Sequence, residues 1–411
     1  MTTECDATSS VGKESSPPTQ PSTTQLSAVV PKFIEEPIGF TEDQGHGFPR
    51  LDFGQRIGPV NPTTSQSRYR IARKLGIGNN SSVWLAFDEV DERYVAIKLL
   101  TGYLTRLIRV RICIEDTGLE LVSSDPSPHC VSAIASFVHP GKALPLPLVK
   151  RILYHTLKGL VHLHARGVVH TDLKPNNIMF SAPVPPEGCT IEQYYERILA
   201  EDPPRLNPPE QPWGPEGPSI QTAVSQPLPM PASVEEAMER VYIVADLGSC
   251  QSASAHHWDD ISPVALRAPE TILRGPWNEK VDIWTFGCLV FELVTGAALF
   301  KYQTMENDGI TVPEVAHLWQ MLLFTSQSFK PEQLQVSERA ASYFESNCEL
   351  KGNLPMHYQR ISRFIENYKV LEDEKDIEET EALILRCLRL DPMERPSAEE
   401  LLSDKWWDEV A

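Results

Sequence analysis

The chain has 411 residues with 56 Asp and Glu against 37 Lys and Arg, a net charge of −19 that disfavours polyanionic partners such as nucleic acid. Its length suits one two-lobed domain plus tails, and an apolar share of 41% is enough for a substantial core. No apolar run reaches 18 residues and no charged-then-apolar leader is present, so neither a membrane span nor a secretion signal is expected. The eight cysteines are scattered without a Cys-x-x-Cys pair, which argues against zinc and disulfides and leaves cytoplasm and nucleus as the expected compartments.

In chain order, the first 30 residues hold 15 Ser, Thr or Pro and no aromatic residue, too little apolar surface to order themselves. Leu75 to Trp84 (Leu-Gly-Ile-Gly-Asn-Asn-Ser-Ser-Val-Trp) predicts a hairpin whose glycines, Gly76 and Gly78, allow a phosphate chain close to the backbone. The third glycine of that pattern is Ser81 here. Val95-Ala96-Ile97-Lys98 is next, an apolar strand ending in a lysine suited to pair with phosphates. The stretch after it is poorly patterned. Arg106 to Ile112 reads as strand or helix, Gly118 interrupts the residues beyond, and Glu115 and Glu120 are the carboxylates available to Lys98. Glu115 is favoured because Leu119 stands four residues on, where Glu120 has Ser124. Val131 to Val138 supplies one strand, but His139 to Lys142 turns almost directly into the next helix, leaving no second strand.

Leu148 to His164 carries apolar residues at helical spacing. It leads into His170-Thr171-Asp172-Leu173-Lys174-Pro175-Asn176-Asn177, which sets an acid, a lysine and an amide at the offsets required for phosphoryl transfer to a hydroxyl. Asp172 fits a base that accepts the hydroxyl proton, Lys174 a stabiliser of the transferred charge, and Asn177 a magnesium ligand. Residues 182–240 contain 13 prolines and read as a spacer, a flexible linker with one short helix at Ile191 to Ala200. Val241 to Ala245 is a buried strand that delivers Asp246-Leu247-Gly248, making Asp246 the principal magnesium ligand. Ala268-Pro269-Glu270 closes a segment of 25 residues beginning at Asp246. Lys280 to Thr295 is apolar nearly all round, as a central helix must be, so Asp282 is a poor candidate for a solvent charge.

Taken together, Lys-Leu-Gly-x-Gly-x-x-Ser-x-Val-Trp-Leu, His-Thr-Asp-Leu-Lys-Pro and Ala-Asp-Leu-Gly resemble the SR-protein-kinase family. Thr171 in place of Arg, Leu247 in place of Phe and the split large lobe carry that likeness, over about residues 66 to 408 without the insert. The resemblance implies an α+β, bilobal protein-kinase fold, with a small β-rich lobe that is incomplete here and a larger helical one. The divisions are an extended or disordered segment at 1–65, the shortened small lobe at 66–141, the start of the large lobe at 142–181, the Pro-rich spacer at 182–240 and the remaining large lobe at 241–411.

The resemblance further implies a serine/threonine kinase using ATP and Mg2+, with Gly76, Gly78, Val83, Ala96 and Lys98 around the nucleotide. His170, Glu270, Asp282 and Arg395 take structural roles, Arg395 pairing with Glu270 and Asp282 anchoring the catalytic loop. Substrates are expected to be basic, Arg/Ser-rich RNA-processing proteins, bound by a monomer without nucleic acid or membrane. Residues 241–411 carry 29 acidic against 15 basic residues, in keeping with cationic partners. Glu306, Asp308 and Glu314 lie in the approximate docking region. Thr171 cannot clamp a phosphorylated loop as an Arg would, so activity is expected not to depend on phosphorylation there. The alternative is a pseudokinase-like binding module, or a shortened splice or gene-model product with impaired ATP binding.

Overall fold

The computed structural model describes residues 33–40, 47–61, 64–110, 113, 115–123, 127–130, 144–181, 185–305, 310–352, 354–408 and 410. Strands β1 (Arg56–Val60), β2 (Ser67–Ile77), β3 (Ser81–Asp88) and β4 (Arg93–Leu100) form an antiparallel sheet in sequential order. Alternation along β4 sends Val95, Ile97 and Leu99 to one face, against Ile71, Trp84 and Ala86. Tyr94 and Ala96 face the other way with Val83, Leu75 and Leu85, and Lys98 joins them by period two. Val83 is directly opposite Lys98 in the β3–β4 register. The glycine loop is the tight β2–β3 connection, closed by Gly78 N–H donating to the Ser81 carbonyl at 2.8 Å.

Helix α1 (Gly102–Arg109) comes next, its first turn capped by the Thr101 hydroxyl, which accepts from Leu104 N–H at 3.2 Å. The ambiguous stretch at Arg106 is therefore helical as far as Arg109. Helix α2 (Glu115–Ser123) opens with two acids, favourable at a helix N-terminus. The expected strand at Val131–Val138 and the turn after it lie outside the described residues.

The large lobe is built on α3 (Leu146–His164), the short pairs β5 (Val168–Val169) with β8 (Gln251–Ser252) and β6 (Ile178–Phe180) with β7 (Tyr242–Val244), and a set of helices. These helices are α4 (Ile191–Glu201), α5 (Val234–Glu239), α6 (Pro269–Leu273), α7 (Lys280–Thr295), α8 (Pro313–Thr325), α9 (Pro331–Gln335), α10 (Ala340–Tyr343), α11 (Ile361–Tyr368), α12 (Glu374–Cys387) and α13 (Ala398–Leu401). Helix α7 is buried around almost its whole circumference, with Ile283, Trp284, Phe286, Leu289 and Val290 inaccessible to solvent, as its all-round apolar sequence requires. Among the described residues no helix is long and apolar enough to cross a membrane.

The Pro-rich stretch corrects an expectation. Its described part is folded rather than a flexible linker. Helix α4 starts at a capping box between Thr190 and Gln193, and its Tyr195 ring lies 5.1 Å from Tyr94 of β4. Residues beyond it pair through the bridges Leu206↔Ala223 and Glu210↔Ile220, and Gln226 N–H donates to the Lys74 carbonyl at 3.0 Å. Arg73 and Lys74 of β2 are 1% and 0% exposed because this stretch covers them. Arg73 donates to the carbonyls of Asp202 at 3.2 Å and Pro227 at 3.1 Å. Lys74 Nζ reaches the Ala223 carbonyl at 3.2 Å, Glu35 at 2.5 Å and also Glu36.

The segment before residue 66 is likewise ordered in part, whereas residues 1–32 lie outside the described residues. Phe33 and Phe40 pack on Trp213 with ring centroids 5.8 and 5.9 Å away, and β1 adds a fourth strand to the sheet. The small lobe is thus held by three separate stretches of chain.

Candidate active site

Lys98 leaves the cleft face of β4 and places Nζ 2.5 Å from Glu115 Oε1 and 2.6 Å from Asp246 Oδ1. Burial works against its charge, but Asp246 and Glu115 outweigh it and raise its pKa. Burial alone would raise Asp246, yet Lys98 more than offsets this and holds its carboxyl below the usual value. Of the two glutamates open in the sequence, Glu115 is beside Lys98, whereas Glu120 is not among its partners.

Gly118, which weakens α2 as a helix, has a packing reason: a Cβ there would stand 2.8 Å from Cys250 Sγ. The glycine lets α2 settle on the turn after Asp246, and Leu119 packs against the core cluster to which Leu247 belongs. Gly248 is less tightly constrained: a Cβ would lie 3.2 Å from Asp246 Oδ1, 3.4 Å from Glu115 Oε2 and 3.5 Å from Lys98 Nζ, so it would crowd the ion cluster. Asp246 itself has φ 62°, a left-handed conformation that Asp tolerates better than most residues. In the turn after it, Cys250 is buried, and burial pushes its thiol up to about 12, away from the thiolate form.

The β6–β7 register explains how the second half of the site is assembled. Ile178 pairs with Val244, so the residues just beyond, Asn177 and Ala245, meet through an Ala245 N–H to Asn177 carbonyl bond of 2.9 Å. That pairing sets Asn177 next to Asp246. Asn177 Nδ2 also donates to the Asp172 carbonyl at 2.8 Å and to Asp172 Oδ2 at 3.0 Å, and Lys174 Nζ donates to the same oxygen at 2.7 Å. The acid, lysine and amide of the sequence motif therefore form one hydrogen-bonded group.

Buried groups hold this loop in place. Asp282, 1% exposed, accepts Thr171 N–H at 2.9 Å, His170 N–H at 2.8 Å and His164 Nε2 at 2.9 Å. Burial opposes its charge, and His164 and His170 offset that and keep its pKa low. His170 Nε2 donates to the Ala245 carbonyl at 2.9 Å and its Nδ1 accepts Asp172 N–H at 3.2 Å, which fixes one tautomer. Glu270 and Arg395 form a buried two-pronged pair at 2.6 and 2.7 Å. His164 was missed in the sequence; its signal was its place at the end of the helix that leads into the loop.

The glycine loop residues Gly76 and Gly78 stand at the end of β2 and in the turn after it, with Val83 and Ala96 on the cleft face. Glu306 and Asp308 lie outside the described residues. Glu314, in the first turn of α8, accepts the Tyr302 hydroxyl at 2.8 Å and is not part of the Asp172 group.

For a magnesium ion, the donors on offer are the Asp246 carboxylate and the Asn177 amide oxygen. Among the described residues no cluster of three or more His, Cys, Asp or Glu stands ready to hold a metal. Hard oxygen donors in small number suit Mg2+, which keeps several waters and takes further ligands from phosphate.

A model of the protein kinase domain matches residues 119–184 and 236–407, more than half of the chain, with the break falling across the Pro-rich stretch. The serine/threonine-protein kinase SRPK of Physarum polycephalum is 28% identical over 380 residues, spanning 84% of this chain and 87% of the relative. A serine/threonine protein kinase of Aspergillus fumigatus is 26% identical over 420 residues and covers 95% of each chain. Among solved structures, the PF14_0431 kinase domain superposes with a TM-score of 0.56 at 20% identity, covering 88% of this chain and 98% of that one. The chain belongs to the protein kinase family and is a serine/threonine kinase of the SRPK-like type.

Proposed function

We propose that the protein transfers the γ-phosphoryl group of ATP to serine hydroxyls in basic, Arg/Ser-rich proteins. The observation that carries this reading is the single hydrogen-bonded group formed by Asp172, Lys174 and Asn177, held beside Asp246 by the Asn177–Ala245 backbone bond. Asp172 orients the serine hydroxyl and accepts its proton as the oxygen attacks the γ-phosphorus; the bond to the β-phosphate oxygen breaks and ADP leaves. Lys174 neutralises charge on the group in transit. Lys98, fixed between Glu115 and Asp246, presents its ammonium to the phosphates near the nucleotide. Gly76 and Gly78 let the loop backbone close over them, with Val83 and Ala96 beside the nucleotide.

Asp246 and Asn177 would hold Mg2+, which when bound would supply positive charge against the phosphate oxygens. The substrate class rests on charge: residues 241–411 carry a surplus of 14 acidic side chains, and Glu314 offers a partly exposed carboxylate. An attraction between many exposed charges is strongly salt-dependent. Phosphorylation of an Arg/Ser-rich peptide should therefore fall steeply as salt rises, exceed that of an acidic peptide, and vanish in Asp172→Ala with the fold intact. Parent-level activity in that variant overturns the chemistry. Equal rates on acidic and Arg/Ser-rich peptides overturn the substrate class alone, and phosphate transfer absent from the parent while basic peptides still bind would instead establish a binding module.

A further inference from the structure

Thr171 is a β-branched residue at φ 63°, a left-handed conformation such residues rarely adopt, and it is 1% exposed. All three of its polar groups are engaged, and each reaches a different piece of chain. Its N–H donates to Asp282 Oδ1 at 2.9 Å, in the central helix. Its carbonyl accepts Ser262 N–H at 2.8 Å, in the second half of the segment that runs from Asp246 to Glu270. Its hydroxyl donates to the Ser249 carbonyl at 2.6 Å, in the 3-10 turn Leu247–Ser249 that starts immediately after Asp246. The strained backbone is what allows one residue to face all three.

From this we infer that Thr171 is a positioning residue: its hydroxyl pins the turn that carries Asp246, and its carbonyl pins a second point of the same segment, at Ser262. An arginine at this place would need a phosphate on the segment to grip. A neutral hydroxyl bonded to a main-chain carbonyl needs none. The side chain bonds the Ser249 main chain, and it acts through Asp246. The inference rests on the reading that Asp246 holds Mg2+.

The test is isothermal calorimetry of ADP binding with and without saturating Mg2+, the readout being the factor by which Mg2+ tightens binding. Thr171→Val keeps the shape and the β-branching but deletes the hydroxyl, leaving the half-buried Ser249 carbonyl without that donor. It should cut that factor about tenfold, the consequence of losing one half-buried hydrogen bond from the turn that follows Asp246. Thr171→Ser restores the hydroxyl and should restore the factor. Thr171→Gly, at ease in a left-handed backbone, folds without strain yet lacks the hydroxyl, and should behave as the Val variant does. A parent-like factor in both the Val and Gly variants overturns the inference. So does a loss of ADP affinity that is equal with and without Mg2+, which marks a merely structural role. Asp246→Asn is the control: if it leaves the Mg2+ factor unchanged, the assignment of the metal to Asp246 fails, whatever Thr171 does.

Discussion

Each lobe contains a buried ion cluster, and the two are built differently. In the large lobe, Glu270 and Arg395 meet at 2.6 and 2.7 Å, and Arg395 donates further to the carbonyls of Arg389 and Lys280. Every partner belongs to the helical lobe itself. In the small lobe, Lys74 is wholly buried between Glu35 and Glu36 from the N-terminal segment and the Ala223 carbonyl from the Pro-rich stretch. One cluster closes a lobe on itself, whereas the other fastens outside chain onto a sheet that would otherwise be thin. The comparison teaches that the large lobe is self-sufficient and that the small lobe of this chain is finished by its additions.

The sharpest way to break that comparison is to remove one ion from each cluster. Arg395→Met strands the Glu270 carboxylate, which is 7% exposed. Breaking a buried pair by deleting one member costs about 3–5 kcal/mol, so global unfolding by urea should move by that amount. Lys74→Met strands Glu35 and Glu36, but Glu35 keeps the Ser225 N–H at 2.8 Å and the Ser225 hydroxyl at 2.6 Å. Its cost should be smaller, about 1.5–3 kcal/mol, the range for hydrogen bonds to a charged group. It should also be local. Hydrogen exchange is expected to speed up over residues 33–40 and 205–226 while the amides of α7 stay protected. Uniform acceleration in α7 would mean that the two lobes unfold as one unit and that the distinction is unfounded.

Legibility in the sequence tracks the same divide. Helix α7 runs from Lys280 to Thr295, the span its apolar character indicates, and α3 begins two residues before the expected Leu148. Both are long segments whose burial dictates residue type at nearly every position. The site motifs were readable because phosphoryl chemistry fixes residue types at short offsets. The folding of the Pro-rich stretch was not readable for a physical reason. It grips β2 largely through main-chain carbonyls, those of Asp202, Ala223 and Pro227, and any residue type supplies a carbonyl. Arg73 and Lys74 look like ordinary solvated strand residues until their partners, 129 and 149 positions away, are known. Prolines at high density signal a linker when isolated, yet here they serve an extended chain laid against a sheet.

Acid sharpens the comparison further. Burial alone would raise the Glu35 carboxyl, but Lys74 and Ser225 outweigh it and leave its pKa below the ordinary 4.5. A carboxylate depressed in the folded state contributes stability that is complete above its unfolded value and is lost as pH falls through the folded one. Exchange over residues 33–40 should therefore be insensitive to pH above about 5, after correction for the intrinsic rate, and should accelerate below about 4.5. Lys74→Met removes the main stabilising partner, so its acid sensitivity should be shallower. If parent and variant lose the segment at the same pH, the Lys74 cluster is not what holds it.

The smallest expected effect comes from the ion pair that most resembles these clusters in the sequence but not in burial. Arg205 and Asp202 lie in the same Pro-rich stretch, 2.7 Å apart, with side chains 58% and 46% exposed. Water screens that attraction, and holding two long side chains in one geometry has its own entropic cost, so such pairs contribute about 0–1 kcal/mol. Arg205→Ala should leave unfolding and local exchange within about 0.5 kcal/mol of the parent, and raising salt should change parent and variant alike. Asp202 would still be held through its carbonyl by Arg73, whose side chain is 1% exposed. A loss of protection from Arg205→Ala as large as that from Lys74→Met would show that exposed charge, rather than the buried cations of β2, fastens the stretch to the sheet.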